Sequence, residues 1–188
     1  MKSSLFRCVA AGLFAVGLAL GLPAQENSPV APRPDPWAPV RFLLGQWEGT
    51  AQGEPGTGTA VREYGFILNN RYIEVRNQST YPPQEKNPKG EIQQDRGMIS
   101  YDRTARKLVL RQFNVEGYVN HHVLDSVPPD GRRVVFVTAA IENIPPGWRG
   151  RETYTWVSAD EFTEKFELAE PGMEFATYSE SRFRRKRP

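Results

Sequence analysis

The chain has little cysteine, little histidine and almost no helical periodicity, and each shortage removes a class of function. Of 188 residues one is cysteine and two are histidine. Cys8 lies inside an N-terminal apolar stretch that reads as a removable leader, so the mature chain is expected to form neither a disulfide nor a cysteine-held metal site. The histidines are neighbours, His121 and His122. Adjacent side chains in a strand face opposite sides, so the pair cannot grip one ion, and structural zinc takes about four ligands. No metal site is expected.

A long hydrophobic run is also missing. Val9 to Leu22 is apolar over 14 residues, short of the roughly 20 that span a bilayer as a helix. Lys2 and Arg7 precede the run, Leu22-Pro23-Ala24 ends it and polar Gln25-Glu26-Asn27 follows. This is the pattern of a secretory signal peptide over residues 1–24, which places the protein in the periplasm or outside the cell with no integral membrane span once the peptide is cleaved. Cleavage removes Lys2 and Arg7, leaving 22 basic against 22 acidic residues. A neutral domain lacks the field that gathers nucleic acid. The basic end from Arg182 to Arg187 reads as a solvated terminus.

Catalytic signatures are absent too. There is no Gly-x-Ser-x-Gly, no cysteine nucleophile in the mature chain, and the carboxylates Glu63, Glu74, Asp95, Glu152 and Glu167 share no spacing that marks an acid–base pair. Gly53-Glu54-Pro55-Gly56-Thr57-Gly58 lacks the Lys-Ser/Thr and the following helix of a phosphate loop, and reads as a hairpin.

Proline is plentiful from Asn27 to Pro39, which predicts an extended linker over residues 25–36. The remainder, 37–188, has the size of one domain. It opens with Trp37-Ala38-Pro39-Val40-Arg41 and Phe42-Leu43-Leu44, enough for one or two helical turns closing the bottom of the fold. Gly45 then reverses the chain without a Cβ clash, and Trp47 begins the first strand, its indole N–H in need of a partner.

Beyond Trp47, runs of β-branched and aromatic residues alternate with Gly, Pro, Asn and Asp. The predicted strands are Trp47–Gln52, Thr59–Leu68, Arg71–Tyr81, Glu91–Tyr101, Lys107–Val115, Tyr118–Val127, Arg133–Ile141, Arg149–Val157, Phe162–Ala169 and Glu174–Phe183. Asn69-Asn70, Glu116-Gly117, Pro129-Asp130-Gly131 and Pro171-Gly172 are tight-turn chemistry. Phe162, Phe166 and Leu168 alternate with Thr163, Lys165 and Glu167, so one face is apolar. Ten antiparallel strands in a meander leave two raw edges unless the sheet closes. The fold class is therefore all-β, a closed up-and-down antiparallel barrel of about ten strands with a short N-terminal helical plug. Pro82–Gly90 and Asn143–Trp148 are long enough to rim a mouth, Trp148 serving as a lid or packing on the wall.

Gly45-Gln46-Trp47 at the head of the first strand, with an arginine-bearing last strand, resembles the calycin barrels: lipocalins, fatty-acid-binding proteins and nitrobindin-type haem proteins. The resemblance implies that an arginine of the last strand, Arg182 or Arg184, covers Trp47 and seals the barrel. It also implies an interior binding site. Nitrobindin-type proteins hold haem through a histidine near the C-terminal strand, and no histidine follows His122, so no haem or other cofactor is expected. Tyr178 and Arg182, four apart, share a face by period-two alternation and are candidate polar anchors of the fatty-acid-binding kind.

The expected activity is binding of a small apolar or amphipathic, lipid-like ligand. Its wall residues are Tyr64, Phe66, Met98, Phe113, Phe136, Tyr154, Trp156 and Phe166, with Tyr178 and Arg182 as anchors. Alternatives are an enzyme with its site at the barrel mouth, and a filled barrel acting as a protein-interaction module.

Overall fold

The computed structural model describes residues 34–187; the leader and most of the proline-rich linker lie outside the described residues. The barrel is entered through Asp35, whose carboxylate accepts the backbone N–H of Trp37 at 3.1 Å and the Nε–H of Arg41 at 2.5 Å. The plug is a single 3₁₀ segment, Ala38–Leu43, shorter than an α-helix, with Val40 and Leu43 turned into the core.

Ten strands follow: β1 (Gly45–Gly53), β2 (Gly56–Ile67), β3 (Tyr72–Tyr81), β4 (Glu91–Asp102), β5 (Lys107–Asn114), β6 (Val119–Ser126), β7 (Arg133–Glu142), β8 (Arg149–Ser158), β9 (Glu161–Ala169) and β10 (Ala176–Arg185). Each pairs antiparallel with its sequence neighbours, and β10 pairs with β1 to close the barrel. The meander and the closure are those expected from the short turns. Asn69 and Asn70 adopt φ of 57° and 58° between β2 and β3, as turn residues that tolerate the left-handed region do.

The Gly45-x-Trp47-x-Gly49 pattern has a physical cause at both ends. Gly45 sits at φ 118°, which a side chain would strain. At Gly49, a Cβ would lie 1.9 Å from the backbone oxygen of Arg182, so only glycine lets β10 come close enough to seal the barrel. Between them Trp47 is buried, donates its indole N–H to the Leu43 carbonyl at 2.6 Å and meets Phe162 edge-on at 4.8 Å.

The guanidinium over Trp47 belongs to Arg185, 4.0 Å from the ring centroid, and not to Arg182 or Arg184. Arg185 also donates to the carbonyls of Leu44 and Ala159, tying the plug to the β9 entry. A bulge between Thr177 and Ser179 shifts the β10 register. Past it Ser181 and Phe183 point inward, while Arg182 and Arg184 project outward onto Glu161.

Inside, the plug end is filled. Trp47, Tyr64, Phe136, Tyr154, Phe162 and Phe183 interlock with aliphatic side chains such as Ile73, Ile99 and Leu110, all buried. No helix among the described residues is long and apolar enough to cross a membrane.

Candidate functional site

The opposite end of the barrel is polar inside. Successive inward positions on β2 run from Tyr64 to Arg62, on β8 from Tyr154 to Glu152, and on β9 from Phe162 to Glu164, so each strand carries one aromatic in the core and one charge above it. Between these charges and the mouth lies a cavity of about 190 Å³, roughly six water volumes. Asp95, Tyr118, Glu152, Phe166 and Tyr178 are among the groups that line it.

Arg62 organises the floor. Its Nε and Nη2 donate to the Glu164 carboxylate, the shortest contact being 2.7 Å, with side chains only 8% and 10% exposed. Its Nη1 donates to the carbonyls of Val61 and Gln78 and to Ser79 Oγ, and its guanidinium lies 5.0 Å over the Phe183 ring. Burial works against the Arg62 charge, but the facing Glu164 carboxylate outweighs it and holds the guanidinium above its ordinary value.

The other two carboxylates lack such a partner. Burial pushes Asp95 up to about 6, Arg62 and the Asn77 amide, which donates at 3.0 Å, opposing the rise. Burial pushes Glu152 well above the carboxylate range, and the charges of Glu164 and Asp95 add to it. One oxygen of Glu152, Oε1, is buried without a hydrogen-bond partner, as is Oδ1 of Asn77.

Asp95 therefore opposes folding where it must ionise. Its folded value lies above the ordinary 3.8, so the folded state holds the proton more tightly and stability falls as pH rises from about 4 to about 6. Asp95→Asn is expected to gain about 3 kcal/mol over the wild type at pH near 7.5 and nothing below pH near 4. Urea denaturation at the two pH values checks this; equal gains at both would refute the assignment.

Among the sequence-derived candidates, only Phe166 and Tyr178 line the cavity, their rings edge-on at 5.9 Å. Tyr64, Phe136 and Tyr154 face inward as expected but are consumed in the packed core. Phe66 packs edge-on against Trp37 at the plug, and half-buried Trp156 lies under the Arg132 guanidinium. Met98 and Phe113 correct the wall assignment. They occupy outward positions and are 42% and 55% exposed, because the inward parity of β4 and β5 belongs to Gly97, Ile99, Leu110 and Gln112. Arg182 is likewise outside, ion-paired to Glu161. Trp148 is half-buried and does not line the cavity.

Arg62, Asp95, Glu152 and Glu164 escape sequence reasoning as a group. A signal exists for three of them: Arg62, Glu152 and Glu164 share strand parity with aromatic residues two positions away, which marks a charge destined for the interior, whereas Asp95 stands between Gln93 and Gly97 and carries no such mark.

The histidines separate as alternation requires. His121 is turned outward, its Nε2 2.6 Å from Glu142. His122 is fully buried, neither ring nitrogen has a partner, and burial lowers it to about 4, so it is neutral at physiological pH. Gly150 leaves it room: a Cβ there would come within 3.1 Å of His122 Nε2. Among the described residues no three His, Cys, Asp or Glu side chains converge to hold a metal ion.

The mouth is braced from outside the cavity. Gln84, in the β3–β4 loop, accepts from Thr57 N–H at 2.9 Å and donates to its carbonyl at 3.1 Å, clamping that loop to the β1–β2 hairpin. A larger open depression, about 520 Å³, lies over outward side chains including Val61, Arg76, Gln78, Arg96 and Phe113. Its Arg76 is exposed and paired with Glu63 and Glu74. The interior cavity instead carries the buried charges Arg62, Glu152 and Glu164 and the unpartnered Glu152 Oε1, which makes it the candidate site.

Neither a family model nor a curated protein matches the chain. Among solved structures it is similar to the crystal structure of Rv2717c from M. tuberculosis, with 15% identity, a TM-score of 0.61, and coverage of 82% of this chain and 99% of that one. It is the barrel fold that the two share. A de novo designed fluorescence-activating β-barrel is 15% identical over 81% of this chain and all of its own, with a TM-score of 0.42. Another barrel, EF1p2_mFAP2b bound to DFHBI, is 10% identical over the same shares, with a TM-score of 0.40.

Proposed function

We propose that the protein is an exported binding protein of the calycin type that encloses a small amphipathic ligand in the polar upper half of its barrel. The observation that carries this reading is the interior cavity, open at the mouth, whose lining residues Glu152 and Asn77 each carry a buried oxygen, Oε1 and Oδ1, without a protein partner. Buried polar atoms are costly when unsatisfied, so a bound molecule or water that completes them is favoured. The arginine-covered Trp47 and the short plug support the calycin assignment. The cavity size favours a compact ligand over a fatty acid, because the space such a chain would fill is occupied by the aromatic core.

Native mass spectrometry of protein isolated from its own host tests the reading, alongside Ser179→Trp, which plugs the cavity from a lining position on β10. Wild type is expected to carry a small adduct on a chain that starts after Ala24, and the folded variant to lack it. An apo mass for wild type, or an adduct retained by the plugged variant, overturns the cavity reading; an uncleaved leader overturns export.

One observation favours a second reading in the same place. Asp95 and Glu152 line the same cavity, and burial pushes both carboxyls up, Asp95 to about 6, the kind of carboxylate pairing that serves general acid–base catalysis. Turnover of the bound compound, lost in Glu152→Gln, distinguishes an enzyme from a carrier.

A further inference from the structure

We propose that the ligand is a small organic ammonium ion, its charge seated against Glu152 and Asp95 and its apolar body among Phe166, Tyr178 and Tyr118. The inference rests on the reading that the cavity binds a ligand, and names the class it takes.

Three features select the charge. First, the cavity is lined by four carboxylates, Asp95, Glu116, Glu152 and Glu164, against the single guanidinium of Arg62. Second, that guanidinium is already committed: its donors are directed at Glu164, at two backbone carbonyls and at Ser79. An anionic ligand would find no free cation and would meet a lining rich in carboxyl groups. Third, of the buried polar atoms without a protein partner, Glu152 Oε1 and Asn77 Oδ1 belong to side chains that line this cavity, and a Glu152 carboxylate and the Asn77 amide oxygen accept from a ligand rich in N–H donors. The aromatic edges at the mouth then cover an apolar body, and their π faces favour a cation over a neutral donor.

A proton accompanies binding. The groups facing Glu152 are Arg62 and Tyr64 on β2, Asp95 on β4, Tyr118 ahead of β6, Tyr154 on its own strand and Glu164 on β9. Burial raises the Glu152 carboxyl well above the carboxylate range, which favours its protonated form. An entering ammonium stabilises the carboxylate, so the Glu152 proton leaves to solvent while the ligand keeps its own. No bond other than that O–H is broken.

Isothermal titration with phenethylamine and butylamine, each against the alcohol and the carboxylate of the same skeleton, tests the proposal near pH 7 in two buffers of different ionisation enthalpy. Wild type, Glu152→Gln and Ser179→Trp are compared. At least one amine is expected to bind roughly thirtyfold tighter than its alcohol, the least that loss of a desolvated charge pair costs, with release of about one proton. Glu152→Gln, which is isosteric, is expected to lose both the preference and the proton. Alcohols or carboxylates binding as well as the amines, and abolished by Ser179→Trp, overturn the ammonium while leaving the cavity reading intact. Binding by none of the six compounds overturns both.

Discussion

Glu164→Ala is expected to cost about 3–5 kcal/mol of stability, the penalty for stranding a buried charge. Arg62 lies at the floor of the cavity, 8% exposed, and Glu164 takes two of its nitrogens. Against a typical total of about 5–15 kcal/mol, that loss brings the domain near the edge of folding. The double variant Arg62→Met/Glu164→Leu removes both charges and fills the space with apolar atoms, so it is expected to lose far less than the single change. Equilibrium denaturation of the three proteins checks this. A single-variant loss below about 1 kcal/mol would mean that solvent reaches Arg62 and that the interior is not enclosed.

Phe162→Ala is expected to cost a similar amount, about 3–5 kcal/mol, through a cavity instead of a charge. Phe162 is fully buried at the centre of the plug-end core. It stacks on Phe183 at 4.9 Å, meets Trp47 edge-on at 4.8 Å and has Phe42, Tyr64 and Tyr154 within 6.4 Å. Few of these rings can collapse into the void, because Trp47 is held by Leu43 and Arg185, and Phe183 lies under Arg62. Phe162→Leu, which keeps most of the volume, is expected to lose markedly less. Thermal unfolding separates the two; equal small losses would place Phe162 outside the cooperative core.

These two residues are two apart on β9, and they divide the barrel between them. Phe162 belongs to the filled half and Glu164 to the polar half. The same step from aromatic to charge occurs between Tyr64 and Arg62 and between Tyr154 and Glu152. The boundary between packed core and site is thus written into three strands at the same spacing. It is legible by parity alone, provided a charge on the apolar face is read as interior and not as an exception.

Parity also explains where sequence reasoning goes astray. Met98 and Phe113 are large and apolar, which suggests burial, but they stand on the solvent side of strands whose inward positions hold smaller or polar groups. Counting from Tyr178 assigns Arg182 inward, and the bulge between Thr177 and Ser179 breaks that count. A single extra residue in a strand reverses every side chain beyond it.

The sequence by itself determined the class, the number and near-correct limits of the strands, the meander order and the roles of Gly45 and Trp47, because these follow from local alternation, turn chemistry and the steric needs of single residues. Tertiary structure decided that Arg185 covers Trp47, that Gly49 admits β10, that the plug half is full, and that Arg62, Asp95, Glu152 and Glu164 line one interior cavity. The physical reason is closure: which side chains meet across a barrel, and how much volume they leave, depends on the register of all ten strands at once.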